Sequence, residues 1–319
     1  MPALPPYRAQ LATLAKEPPR GAGWLHEVKY DGYRIGAAVE DGRATLSSRN
    51  GKDFTAQFPE VANAVARLPA KTALLDGEAA VLLPDGRTSF QALQNVIGGD
   101  GRGVVYLAFD LLHLDGEDLR GLPLVERKRR LAALLGPKPE GTVRYSPHVE
   151  GDAEPVWREA CRLRLEGIVS KRRDGPYLPG RATSWLKVKC TLRQELVVGG
   201  FTDPEGAREG IGALLVGTHD DAGALVFAGK VGTGFTRAVA NALRAKLDLL
   251  EQRECPFTPR PAGWLGKHAH WVRPELVAEV EFTEWTEGGS IRHPSFQGLR
   301  EDKRAKDVVR ETASASPSP

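Results

Sequence analysis

The 319-residue chain is predicted to be an α+β protein, with an antiparallel-rich domain over residues 1–190 and a small OB-fold β-barrel over residues 191–310. Two observations predict the first domain. Strand patterns mix with a few helical patterns without regular βα alternation, and Asp-Gly pairs at 41–42 and 85–86 mark hairpin turns. A third observation predicts the second domain: after residue 190, short β-rich runs surround a single amphipathic helix, as in a Greek-key barrel.

The elements of the first domain follow from hydrophobic periodicity. Residues 1–21 are rich in proline and are expected to be irregular, with one short helical patch near residues 9–15. Runs of β-branched and aromatic residues predict strands at 24–30, 33–40, 44–48, 72–83, 104–112, 143–149, 167–172 and 184–189. The helical period predicts helices at 58–67, 89–96, 124–135 and 154–165.

The second domain is expected to begin near residues 191–193. Strands are predicted at 195–201, 212–218, 225–230 and 277–285, and a helix at 236–250. Residues 311–319 consist largely of Ser, Ala and Pro, a composition typical of a disordered tail.

Composition bounds the class of protein. With 41% hydrophobic and 27% charged residues, the chain is an ordinary globular sequence. Its net charge of +3 permits a nucleic-acid partner without requiring one. Basic runs occur at 127–130, 171–173 and 303–306, and the first of them, on a predicted helix, is expected to be a solvated face.

The three cysteines, Cys161, Cys190 and Cys255, are an odd number without a close pair. This pattern argues against a disulfide framework and against a cysteine-based zinc site. Residues 1–21 lack the apolar core of a signal peptide, and no run reaches transmembrane length. We therefore expect a protein without membrane contact in a reducing cytoplasm. We also expect it to be a monomer.

Lys29, in the run from Glu27 to Arg34, is the first candidate for chemistry. Because a free lysine has a pKa of about 10.4, only roughly one in a few thousand is nucleophilic at neutral pH. Either the pKa is lowered or the amine is held against its electrophile. If residues 24–31 are extended, Glu27, Lys29 and Asp31 share one face. Gly32 permits a close backbone approach, and Arg34 offers a fork of donors to a phosphate.

Further polar motifs follow Lys29 at ordered intervals. They are Ser48-Arg49-Asn50-Gly51, Leu75-Asp76-Gly77-Glu78, Tyr106-Leu107-Ala108-Phe109-Asp110, Glu166-Gly167-Ile168-Val169-Ser170-Lys171, Ser184-Trp185-Leu186-Lys187-Val188-Lys189 and Leu299-Arg300-Glu301-Asp302-Lys303. Together they offer a nucleophilic amine, separated carboxylates, an aromatic platform and cations for a polyphosphate. Carboxylates suit a hard divalent cation such as Mg²⁺ or Mn²⁺, and cations stabilise a phosphoryl transition state.

This ordered set resembles the covalent nucleotidyltransferase superfamily of ATP-dependent DNA ligases, RNA ligases and mRNA capping enzymes, over residues 24–309. The amino-acid sequence of residues 166–171, 184–189 and 293–303 is most similar to the ligase module of bacterial ligase D. That family acts in double-strand-break repair by non-homologous end joining. The resemblance implies a nucleotidyltransferase (ATP-grasp-like) adenylation domain at 1–190, followed by the OB-fold domain.

The resemblance also implies a reaction. Lys29 attacks the α-phosphate of ATP, which gives a lysyl-adenylate and pyrophosphate. The AMP then passes to the 5′-phosphate of a nick, and the 3′-hydroxyl displaces it to seal the strand. A lysine intermediate divides one difficult condensation into separate steps.

Roles for individual residues are carried over from the matching motif positions. Catalytic roles are implied for Lys29, Asp31, Lys187, Lys189, Arg300, Asp302 and Lys303. Contacts with the nucleotide are implied for Glu27, Val28, Lys29, Arg34, Arg49, Glu78, Phe109, Arg181 and Lys187, and metal binding for Glu78 and Glu166. Glu27 and Val28 would lie at the adenine edge, with Phe109 stacked on the adenine face. Residues 300–303 would close over the β- and γ-phosphates in the first step only, which requires a lid-type motion about residue 191.

Cofactor and partners follow from the same comparison. NAD-dependent ligases carry a domain upstream of their lysine, whereas 28 residues precede Lys29, so ATP is expected. The expected partner is nicked or broken double-stranded DNA at the nucleoid, together with Ku and the polymerase and phosphoesterase modules of end joining. Two alternatives remain open. One is an RNA ligase or capping-type guanylyltransferase, and the other is a non-catalytic OB-fold protein that binds nucleic acid.

Overall fold

The computed structural model describes residues 4–97, 101–137, 140–204, 206 and 209–312. It divides into two compact units, the first running to Cys190 and the second spanning Thr191–Glu311. Most of the predicted disordered tail, residues 313–319, lies outside the described residues. Among the described residues, no helix is both long enough and apolar enough to cross a membrane.

The first unit mixes strands with four helices in its described part. In chain order its elements are β1 (Gln10–Leu14), β2 (Trp24–Val28), β3 (Tyr33–Glu40), β4 (Arg43–Ser48), α1 (Pro59–Ala66), β5 (Thr72–Val81), α2 (Phe90–Ile97), β6 (Val104–Leu114), β7 (Glu117–Asp118), α3 (Leu124–Leu135), β8 (Val143–Tyr145), β9 (Val149–Glu150), α4 (Ala153–Arg162), β10 (Gly167–Arg172) and β11 (Gly180–Lys189).

These strands form two sheets. The five-stranded sheet has the order β1-β11-β10-β2-β9, and the six-stranded sheet has the order β4-β3-β5-β6-β7, with β8 paired to β6. Within the described part, the β1–β11 and β6–β8 pairs are parallel and the others antiparallel. The predicted antiparallel-rich α+β fold is therefore confirmed.

Two hydrophobic cores cover the outer faces of the sheets. Helices α1, α2 and α3 pack side chains such as Val65, Phe90 and Leu131 onto the six-stranded sheet. Helix α4, capped at its start by Asp152, packs onto the outer face of the five-stranded sheet. Since side chains alternate along a strand, the opposite faces remain for other groups, and these inner faces carry the predicted site.

Two predictions in this unit are wrong in detail. The helical patch near residues 9–15 is strand β1, which pairs in parallel with β11, so tertiary pairing overrides the local pattern. The predicted strand at 143–149 is two short strands, β8 and β9, in different sheets.

The expectation of free cysteines is also wrong. Cys161, near the end of α4, forms a disulfide with Cys190, the residue after β11, with their Cα atoms 5.2 Å apart. The two residues are 29 positions apart in sequence, so spacing alone did not reveal the pair. Cys255 is the free cysteine.

The second unit is β-rich. Its elements are β12 (Leu192–Thr202), β13 (Ala213–His219), β14 (Leu225–Val231), α5 (Arg237–Asp248), β15 (Glu251–Gln252), α6 (Gly263–His268), β16 (His270–Val272), β17 (Val277–Phe282), β18 (Glu284–Trp285), β19 (Ile291–Arg292), β20 (Ser295–Leu299) and a 3₁₀ turn at Ala305–Asp307.

Its main sheet has the order β14-β13-β12-β16-β15, and β17 joins β12 to β20. The predicted OB-fold domain is confirmed, and among the described residues the strand pairing leaves its sheet open rather than closed into a ring around the core. Thr236 caps α5 by accepting a hydrogen bond from Val239 N.

A charged cluster ties the paired strands β15 and β16 to the loop after β12. The His270 ring contacts Glu251 through Nδ1 and Asp203 through Nε2, both at 2.9 Å. Burial lowers the pKa of His270, but hydrogen bonds and charge from the two carboxylates raise it above the ordinary histidine value.

Candidate active site

The strand that leads to Lys29 is shorter than predicted. Strand β2 ends at Val28, and Lys29 N donates to Gly167 O at 2.9 Å. Across the sheet, Glu27 lies opposite Val169, and Val169 lies opposite Lys187. Because residues directly opposite share a face, Glu27 and Lys187 lie on the same side of the sheet.

Lys29 makes an ion pair with Glu166, the residue before β10. Its Nζ lies 2.5 Å from Glu166 Oε1, and this carboxylate side chain is only 6% exposed. Burial lowers the pKa of Lys29, but the charge and hydrogen bond of Glu166, with smaller effects from Asp31 and Glu78, raise it above the ordinary lysine value. The amine is therefore protonated here, so attack on a phosphate requires the proton to leave first.

Gly32 lies where two strands approach closely. A Cβ atom at this position would lie 2.3 Å from Ala79 O, so a larger residue would push β3 away from β5. The glycine in the Lys29 motif is therefore needed for close packing beside the amine.

Arg34 is bound to a buried carboxylate. Its Nε and Nη2 donate to Asp76 at 3.0 and 2.6 Å, and the Tyr7 and Tyr177 hydroxyls donate to the same group at 2.8 and 2.6 Å. Burial lowers the pKa of Arg34, but Asp76 raises it above its usual range. The guanidinium therefore remains charged, and its predicted phosphate contact, which would compete with Asp76, stays a prediction.

The Glu27 carboxylate is buried and paired with two lysines. Lys128 Nζ donates to Oε1 at 2.8 Å and Lys171 Nζ donates to Oε2 at 2.7 Å, and all three side chains are at most 3% exposed. Burial raises the pKa of Glu27, but the two ammonium groups lower it below its usual value.

This geometry corrects the expectation that residues 127–130 form a solvated face. Arg127 is fully buried and bonds to Asp110 at 2.8 and 2.9 Å, and Lys128 is bonded to Glu27. Arg129 and Arg130 pair with Glu126 on the outside of the helix. Helical spacing could have indicated this burial, because positions 127 and 128 lie three and four residues after the buried Leu124 and so share its face of the helix.

Phe109 lies between the two sheets. Its ring makes an edge contact with Trp185 at 6.0 Å, with Arg34 Cζ at 5.1 Å and Lys171 Nζ at 4.1 Å from its centroid. Burial lowers the pKa of Lys171 to about 8, and Glu27 opposes this effect. The predicted adenine platform thus contacts two cations, and its stacking role stays a prediction.

The remaining predicted residues of this unit lie on known elements. Arg49 is in the turn after β4, Glu78 is on β5 opposite Arg34, and Lys189 is on β11 opposite Gly167. Arg181 is exposed and donates to Ala12 O at 3.1 Å. The structure brings Asp31, Glu78 and Glu166 to the surroundings of Lys29, since all three carboxylates act on its pKa.

The three predicted residues of the second unit form their own ion-pair cluster. Arg300 bonds to both oxygens of Asp302 at 2.9 Å and to Glu279 at 3.2 Å, and Lys303 pairs with Glu195 at 2.9 Å. Burial raises the pKa of Asp302, but Arg300 lowers it below its ordinary value.

The donor set fits a divalent cation bound jointly with phosphate. Among the described residues, no group of three or more His, Cys, Asp or Glu side chains is arranged to hold a metal alone. Glu78 and Glu166 are two carboxylates that both act on Lys29. Mg²⁺ is commonly held by one or two carboxylates together with substrate phosphates, so this pair suits it.

A lysine surrounded by carboxylates, with further lysines on β11 of the same sheet and an OB-fold unit following in the chain, is the arrangement of a covalent nucleotidyltransferase. Comparison with known proteins agrees. The family model "ATP dependent DNA ligase domain" matches residues 9–189, and "ATP dependent DNA ligase C terminal region" matches residues 207–303.

Individual relatives indicate which ATP-dependent DNA ligases this chain is similar to. A multifunctional non-homologous end joining protein LigD from Pseudomonas aeruginosa is 43% identical over 311 residues, which are 97% of this chain and 37% of that protein. LigD from Mycobacterium tuberculosis is 40% identical over 296 residues, covering 92% of this chain and 38% of that protein. A solved mycobacterial DNA ligase D, complexed with ATP and MES, has a TM-score of 0.70 and 35% identity, covering 95% of this chain and 98% of that one.

The chain belongs to the family of ATP-dependent DNA ligases. It spans 37% and 38% of the length of these two curated relatives. The activities of the whole LigD proteins therefore enter only as proposals.

Proposed function

We propose that this chain seals 5′-phosphate/3′-hydroxyl nicks in double-stranded DNA, using ATP and a covalent AMP on Lys29. The observation that carries this proposal is the ion pair of Lys29 with Glu166, beside Asp31 and Glu78 in a chain of this family. These carboxylates can hold the Lys29 amine in place and accept its proton before the amine attacks a phosphate.

In the first step, a bond forms between Lys29 Nζ and the α-phosphorus, and the bond to the pyrophosphate oxygen breaks. The amine must lose a proton, and Glu166 is the acceptor nearest to it. Lys187 and Lys189, on the same face as Glu27, are assigned to the α-phosphate. Ammonium groups placed at developing phosphate charge lower the barrier.

A divalent cation would be held by Glu78 and Glu166, where it would offset phosphate charge and weaken the hold of these carboxylates on the lysine proton. Arg300, Asp302 and Lys303 are assigned to the β- and γ-phosphates in the first step. Lys303→Met is then expected to slow AMP transfer to Lys29 more than the sealing of a nick that already carries AMP.

The DNA substrate and the repair pathway rest on the relatives. Proteins named as end-joining LigD align over nearly the whole chain, which supports a place in double-strand-break repair, with Ku as a candidate partner. Since the nick is a polyanion, DNA binding is expected to weaken steeply with salt.

The test is sealing of a labelled nicked duplex with ATP and Mg²⁺. Lys29→Arg keeps the charge but cannot be adenylated, so it should form no sealed product. The ATP requirement is checked by supplying labelled GTP instead. Transfer of GMP to the wild type, with no AMP transfer, would support the capping-type alternative and contradict the ligase proposal.

A further inference from the structure

We propose that Lys128 is a positioning residue for the choice of base: it holds Glu27 ionised and oriented, so that this carboxylate selects adenine over guanine. The inference rests on the proposed function and extends it to a residue outside every ligase-like motif. Lys128 lies on α3, whereas Glu27 is on β2, 101 residues earlier.

The bonds of Lys128 show a fixed group. Its ammonium donates to Glu27 Oε1 at 2.8 Å, to Ser146 O at 3.0 Å and to Phe109 O at 3.4 Å. An ammonium has three donors, so each has an acceptor. The Tyr145 ring lies 4.8 Å from Nζ. Lys128 is therefore anchored to two backbone segments as well as to the carboxylate.

Lys171 differs in its bonding. Among the described residues, Glu27 Oε2 is the hydrogen-bond acceptor that its ammonium contacts, at 2.7 Å. Otherwise Nζ lies over the faces of Phe109 and Trp185, 4.1 and 4.2 Å from their centroids. Burial lowers its pKa to about 8, so of the two lysines it is suited to turning away and freeing one carboxylate oxygen.

The freed oxygen would suit adenine. A carboxylate accepts a hydrogen bond from the 6-amino group of adenine, whereas guanine presents a carbonyl oxygen at the same position. Two facing acceptors repel each other, and a buried group left without a partner is costly. The discrimination requires Glu27 to stay ionised and in place after Lys171 moves, and Lys128 provides both.

The experiment measures kcat/KM for transfer of labelled AMP and labelled GMP to the protein. Lys128→Met is expected to lower the ATP-to-GTP ratio at least tenfold, mainly through a higher KM for ATP. Lys128→Gln, which keeps a neutral donor, should give an intermediate ratio. Both variants are checked for folding by thermal unfolding, and the Gln variant carries the test if the Met variant is not folded.

A double-mutant cycle shows whether Lys128 acts through Glu27. Glu27→Gln should lower the ratio by itself, and adding Lys128→Met should lower it little further, because contacting residues are not additive. The matched control is Arg127→Met, on the same helix and equally buried in an ion pair with Asp110. It should lose stability without changing the ratio.

An unchanged ratio in both Lys128 variants, an equal fall in Arg127→Met, or additive effects in the cycle would overturn the inference. If wild-type protein takes up neither AMP nor GMP, the proposed function itself fails, and this is seen before any variant is compared.

Discussion

The disulfide between Cys161 and Cys190 allows a quantitative prediction. It closes a loop with a sequence separation of 29 residues, which contains Glu166 and most of the lysines around the site. Closing a loop of about 30 residues in the unfolded chain stabilises the folded state by about 3–4 kcal/mol at 25 °C. One kcal/mol corresponds to roughly 2–4 °C in a domain of 150–250 residues, so reduction should lower the Tm of the first unit by roughly 6–16 °C.

The assay compares thermal unfolding before and after treatment with a thiol reductant. Alkylation should count one free thiol, Cys255, before reduction and three afterwards. The double variant Cys161→Ser, Cys190→Ser should unfold like the reduced protein, and its Tm should not respond to the reductant.

The control is Cys255→Ser, which keeps the disulfide and should respond to the reductant as wild type does. If alkylation shows that the bond is broken but Tm falls by less than about 2 °C, the loop-closure reasoning is wrong. If three thiols are free in the untreated protein, the disulfide does not form in solution.

Three further predictions concern buried charge. Asp76→Asn should cost about 3–5 kcal/mol in urea unfolding, because it breaks the ion pair between the fully buried Asp76 and the partly buried Arg34; a loss below about 1 kcal/mol would contradict this. Glu166→Gln should let Lys29 react with an amine reagent at lower pH, because Glu166 raises the lysine pKa; an unchanged pH profile with mapped modification would refute it. His270→Gln should lose stability relative to wild type below about pH 6.5, with the difference vanishing as pH rises, because the raised pKa stabilises the protonated form; a difference that grows with pH would show the opposite sign.

Local patterns predicted most of the fold because hydrophobic periodicity records which face of an element is buried. The strands through Arg34, Glu78 and Phe109 were predicted on this basis, and all three residues lie on strands. Strand β1 was not predicted, since its hydrogen bonds come from β11, 170 residues later, and nothing local distinguishes it from a helix.

Short motifs predicted which carboxylates gather around Lys29, and the structure places Asp31, Glu78 and Glu166 there, while their roles stay predictions. Long-range ion pairs were not predicted. The bond of Lys128 to Glu27 joins a helix to a strand across 101 residues, and the bond of Arg127 to Asp110 depends on the same docking. A sequence shows that a residue is charged but not where its counter-ion lies, so buried partners are mistaken for solvated ones.

The location of AMP on the protein is the direct test of Lys29 as the nucleophile. After incubation with ATP and Mg²⁺, the intact mass should rise by one AMP, and fragmentation of the peptides should place that AMP on Lys29. Lys29→Ala should show no adduct, and addition of a 5′-phosphorylated nick should discharge the wild-type adduct. An adduct on another residue, or sealing of nicks by Lys29→Ala, would contradict the assignment of Lys29 as the nucleophile.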